Sequence, residues 1–129
     1  MILRAMALGF VLWLALTAAL RFAGEYFFTP QWAPTIVAYL ITVVAAALVT
    51  YLLLKLLREA HGDEAEAAIC IAFPGLVFNA FLTHQFGAMF PALDPTLDGV
   101  FAAHALVGAA AIVFTGLFFT RLAPQDERL

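Results

Sequence analysis

A chain of 129 residues that is 65% hydrophobic and only 12% charged has too little polar surface to fold in water, where a domain carries about 25% charged residues. Its net charge of −3 is scattered, with no basic stripe and no long acidic tail, so nothing in it suggests a nucleic-acid partner. A lipid bilayer is the solvent that suits it, and the length suits a single domain.

Crossing the roughly 30 Å hydrocarbon layer takes about 20 mostly apolar residues in a helix. Four segments qualify: 5–23, 34–57, 64–90 and 95–122. Their apolar runs are continuous rather than alternating, which excludes barrel strands. Within lipid each backbone group must be satisfied inside its own segment, so the runs read as helices. The expected fold is all-α, a bundle of four transmembrane helices built as two hairpins.

The first span begins after Arg4 and resembles a signal peptide. Its apolar run exceeds the 7–15 residues of an h-region, and Arg21-Phe22-Ala23-Gly24-Glu25 lacks a small-x-small cleavage site, so a retained helix is expected. Pro34 is placed to open the second helix. Lys55 and Arg58 close it, where cations oppose the negative end of the helix dipole. Gly62 offers a left-handed stop, and Asp63 with Glu66 forms a capping-box-like pattern for the third helix. Asp94 before Pro95 is an N-cap signal for the fourth.

Basic residues stay on the cytoplasmic side. Arg4, Lys55, Arg58, Arg121 and Arg128 fall together in a four-span arrangement, and only Arg21 lies opposite. The expected location is a bacterial inner membrane with both termini cytoplasmic. Tyr26 and Trp32 then sit at the outer interface, where an apolar ring meets water at one edge. The two outer segments, 22–35 and 86–96, share a Gly/Phe/Pro-rich character. That hints at a two-plus-two repeat, although shared interface chemistry explains the likeness better.

Polar residues inside a span raise a functional question. Arg21 and Glu25 stand one turn apart and are placed to pair. Pro74 removes the backbone bond to the Cys70 carbonyl and, with Gly75, marks a kink. Gly75, Asn79 and Thr83 repeat every four residues, followed by His84 and Gln85. This small and polar stripe suits the approach of a neighbouring helix and offers Asn79 a partner across it. His104, Gly108, Ala111 and Thr115 form a matching stripe on the fourth span. His84 and His104 lie at similar depth in adjacent antiparallel spans, a geometry open to haem or metal ligation. A hydrogen-bonding role in the core is the commoner use of such histidines. The one cysteine, Cys70, reads as a small packed hydrophobe.

No phosphate loop, H-E-x-x-H or G-x-S-x-G occurs. The chain contains no serine. The pattern Gly24-Glu25-Tyr26-Phe27-Phe28, the run Phe73-Pro74-Gly75-Leu76 and the four-span length resemble a group of small, uncharacterised bacterial four-helix membrane proteins classed as a domain of unknown function. That resemblance implies the architecture and carries no activity. The expected role is a non-enzymatic accessory or oligomeric protein working through helix contacts, as a homo-oligomer or part of a larger membrane complex. The alternatives are a dimeric minimal transporter or channel along Asn79, Thr83, His84 and His104, and a redox protein holding haem or metal on the two histidines.

Overall fold

The computed structural model describes residues 1–57 and 62–122. These form helices α1 (Ile2–Phe27), α2 (Ile36–Leu57), α3 (Glu64–His84), α4 (Phe86–Met89) and α5 (Asp98–Leu122), with a 3-10 turn at Pro95–Leu97 leading into α5. Four helical segments are long and apolar enough to cross a membrane: α1, α2, α3, and the 3-10 turn joined to α5. Their outward faces carry large apolar side chains such as Leu3, Phe22 and Ile36, the surface that lipid rather than water accommodates.

The helices pack in the order α1, α3, α5, α2, and α1 and α2 meet only sparsely. Backbone proximity holds the first two seams. A Cβ on Gly9 would collide with the Ile71 carbonyl, and one on Gly116 would collide with Ala68 and the Glu64 carbonyl. Without a hydrophobic force between helices in lipid, such close contact is what associates them. One buried cluster gathers Ala5, Leu57, Ala67 and Ile71 near the end that carries Met1 and Leu122, called here the terminal end. Cys70 is half-buried against it. The opposite, loop end is closed by Phe28, Phe86, Phe90, Leu97 and Phe101. Phe101 lies 5.5 Å, ring to ring, from both Phe86 and Phe90.

Several helix ends differ from the sequence expectation. α1 runs beyond 5–23 at both ends. Pro34 lies in the turn before α2 rather than opening it. Thr35 supplies the cap instead, its hydroxyl accepting from the Ala38 N–H at 3.3 Å, as an N-cap residue does for the third helical N–H. The Asp63–Glu66 capping box does not form, since Asp63 makes no side-chain cap bond. The first turn of α3 has its acceptor from α5: the Ala65 N–H donates to Thr120 Oγ1 at 2.9 Å. Glu64 turns back to accept from the Gly62 N–H at 2.7 Å. Gly62 itself has φ 108°, a left-handed conformation that glycine adopts without Cβ strain. Arg58 and Arg128 lie outside the described residues.

The third span ends at His84 rather than Phe90. Gln85 breaks the helix, and α4 then carries Phe86 into the aromatic cluster. The fourth span opens on the 3-10 turn, with Asp94 Oδ1 accepting from the Thr96 N–H at 2.9 Å. α3 continues through Pro74, which is buried.

Candidate functional site: a cleft between α1 and α2

Because α1 and α2 stand apart, a cleft of ≈ 460 Å³ runs along the middle of the bundle, walled by α1, α2, α3 and α5. Its volume falls in the usual range of small-ligand pockets. The floor is small: Ala72, Gly75, Ala105 and Gly108. Leu16 of α1 and Ile41 of α2 line the cleft while remaining 56% and 46% exposed, so they flank its open side. No Asp, Glu, Lys or Arg lines it.

Two polar groupings break the apolar wall. The first joins α1 to α3, where Trp13 Nε1 donates to Asn79 Oδ1 at 3.0 Å. Trp13 is held in place by Phe78, 4.8 Å away, and Phe10, 5.8 Å away. Thr83 uses its hydroxyl on the Asn79 carbonyl, 2.8 Å away within its own helix, and does not line the cleft.

The second grouping centres on His104, buried on α5. Its Nε2 lies 2.8 Å from the Ala33 carbonyl, and its Nδ1 lies 2.8 Å from Thr42 Oγ1. A carbonyl only accepts, so Nε2 must carry a proton. In the neutral ring Nδ1 then accepts from Thr42. That hydroxyl also lies 3.0 Å from the Ala38 carbonyl, so one proton faces two acceptors. Tyr39 stacks on the imidazole at 4.2 Å, while the Phe27 and Phe28 rings lie steeply inclined to it at 5.7 and 5.3 Å. His104 therefore ties α5 to α2, to the 28–35 loop and to the end of α1.

The other candidates are dispersed. His84 is the last residue of α3 and exposed, and Gln85 beside it is exposed as well. The equal-depth geometry of His84 and His104 required a third helix reaching Phe90, which the break at Gln85 removes. Arg21 does not pair with Glu25; its Nη1 donates to the Met89 carbonyl at 2.9 Å, clipping α1 to α4. Glu25 is exposed. Among the described residues, no group of three or more His, Cys, Asp or Glu is gathered for a metal ion. Sequence reasoning missed Trp13, Ala33, Tyr39 and Thr42. The available signal was chemical: Asn79 and His104 in apolar helices need partners, and Trp13 and Thr42 are polar groups within the facing spans.

No curated protein and no solved structure matches the chain. The model of a family of unknown function, DUF5367, matches residues 27–123. That match takes in α2 to α5, with Asn79 and His104, and leaves most of α1 outside. Covering well over half of the sequence, it shows that the chain belongs to this family of unknown function, DUF5367.

Proposed function

We propose that the chain is a non-enzymatic multi-pass protein of a bacterial inner membrane that works by contacts inside the bilayer, with the α1–α2 cleft as its binding surface for an apolar ligand taken up from the lipid phase. The observation that carries this is the cleft itself: an uncharged slot walled by four helices and open sideways between Leu16 and Ile41. Arg4, Lys55 and Arg121 gather at the terminal end, which favours cytoplasmic termini. The loop end then faces outward.

Lipid extraction and mass spectrometry of protein purified in mild detergent test the reading. A lipid class enriched over the bulk membrane is expected. It should be lost in Gly75→Leu with Gly108→Leu, where a Cβ meets nothing closer than 4.0 Å and 3.8 Å respectively. An identical lipid profile in both proteins rejects the reading. The oligomeric accessory role is favoured if native mass shows a dimer that covers the cleft. A haem or metal on His104 would have to displace Thr42 or Ala33 from its ring nitrogens, and a purified protein with no Soret band and no metal is expected.

A further inference from the structure

The α1–α3 wall of the cleft carries polar groups whose donor capacity is uncommitted. An indole N–H only donates, so the bond from Trp13 fixes the Asn79 amide with Oδ1 toward the indole. Nδ2 is thereby directed over Gly75, 4.0 Å from where a Cβ would stand, and both residues line the cleft. Among the described residues nothing accepts from Nδ2. Thr17 follows Trp13 by one turn on α1 and lines the same wall, and its hydroxyl makes no hydrogen bond within the described residues. The α1–α3 wall therefore presents an amide donor in want of an acceptor and a hydroxyl free to donate beside it, and no charged residue to meet a carboxylate or a phosphate.

Depth narrows the choice further. α3 has 21 residues, about 30 Å at ~1.5 Å per residue, which matches the hydrocarbon thickness. Asn79 stands five residues before its end at His84, so it lies roughly 8 Å inside. The ester carbonyls of a phospholipid belong to the interfacial region outside that layer. Bringing one to Asn79 would pull a charged headgroup into hydrocarbon, which is costly. Size leaves room for little more than one turn of a helix. One helical turn, a cylinder about 10 Å across and about 5.4 Å tall, fills roughly 420 Å³, nearly the whole ≈ 460 Å³ of the cleft.

The geometry points to a neutral lipid without a charged headgroup, bearing a carbonyl oxygen on a slender apolar chain, as the occupant of the cleft. Its carbonyl accepts from Asn79 Nδ2 and Thr17 Oγ1, and its chain lies along Ala72, Gly75, Ala105 and Gly108. This rests on the cleft being a binding site, and the test separates the two claims.

Trp32→Phe leaves Trp13 as the sole tryptophan of the original two, a fluorophore on the cleft wall. In detergent it is titrated with a mid-chain dibrominated methyl octadecanoate, and separately with the dibrominated octadecane that lacks the carbonyl. Saturable quenching is expected from both. The ester should half-quench at about a tenfold lower concentration, the worth of one hydrogen bond at ~1.4 kcal/mol. Asn79→Leu should erase that ratio. Thr17→Val should reduce it without touching the Trp13–Asn79 pair, and it carries the test alone if Asn79→Leu does not fold. Gly75→Leu should abolish saturation by both probes. Equal potency of the two probes, with saturation still lost in Gly75→Leu, overturns the carbonyl assignment and leaves the binding site standing. Quenching that never saturates overturns both claims. So does a native dimer whose second copy shields Trp13.

Discussion

The two hairpins of this chain share a solvent, a composition and a length, and they pack differently. In the second, α3 and α5 lie backbone to backbone where Gly116 meets Ala68. In the first, α1 and α2 are neighbours in sequence yet barely touch. Apolarity cannot account for this, since lipid tails are as apolar as the side chains between the helices. The difference lies in shape. Gly116 and Gly9 admit a neighbouring backbone, whereas the α1–α2 gap is flanked by Leu16 and Ile41. An open gap in a lipid-embedded bundle is thus no defect awaiting collapse, because nothing but complementary shape would close it.

The most disruptive way to break the contrast is to wedge the closed seam. Gly116→Ala is expected to cost about 1–3 kcal/mol by overpacking, and Gly116→Leu more. Gly108→Ala on the cleft floor should be nearly neutral, its Cβ meeting only Thr42 Cγ2 at 3.8 Å. Thermal unfolding in detergent, followed by circular dichroism, ranks them; equal losses would show that the two regions do not differ as described. Next comes His104→Leu, which strands the Ala33 carbonyl and frees Thr42. A loss of about 2–3 kcal/mol is expected, partly restored in His104→Gln if hydrogen bonding rather than ring stacking dominates. Trp13→Phe removes one interhelical bond, and such bonds average about 0.6 kcal/mol in membranes. Denaturant titration should register that small drop.

The smallest effect concerns pH at the loop end. The Thr96 N–H and hydroxyl donate to Asp94 and hold its carboxyl below the usual carboxylate value. A depressed value in the folded state means the cap is fully present above the ordinary carboxylate pKa and is lost as pH falls through the lower, folded one. Protection of the Thr96 amide against exchange, taken relative to its intrinsic rate at each pH, should fall over that acidic window in the wild type. Asp94→Asn should flatten the dependence, and an unchanged profile would show that the cap is irrelevant there.

The spans were legible because continuous apolarity over about 20 residues has one structural solution in lipid. The ends were less so. Asp63 and Glu66 have a capping spacing, but α3 takes its cap from Thr120, a residue of another helix. Pro34 and Thr35 are adjacent, and spacing alone did not say which one starts α2. The site was the least legible part. Equal depth joined His84 to His104 on the premise of a third helix running to Phe90, and the break at Gln85 removes that premise. The pairs that do form, Trp13 with Asn79 and Thr42 with His104, each bridge two helices. Sequence distance hides such pairs, although each begins from a polar group that could not be left alone in hydrocarbon.

Those bridges also impose a timetable. Trp13, Arg21, Ala33 and Thr42 wait for partners 66, 68, 71 and 62 residues further along. At a synthesis rate of ~5–20 residues per second, each wait lasts roughly 3–14 s. During that interval the newly made first hairpin has none of its long-range polar partners: the Trp13 indole lacks its acceptor, and Thr42 has only the Ala38 carbonyl of its own helix. His104 satisfies Ala33 and Thr42 together on arrival, so the fourth span fixes in one step what the second span and the loop before it had left provisional.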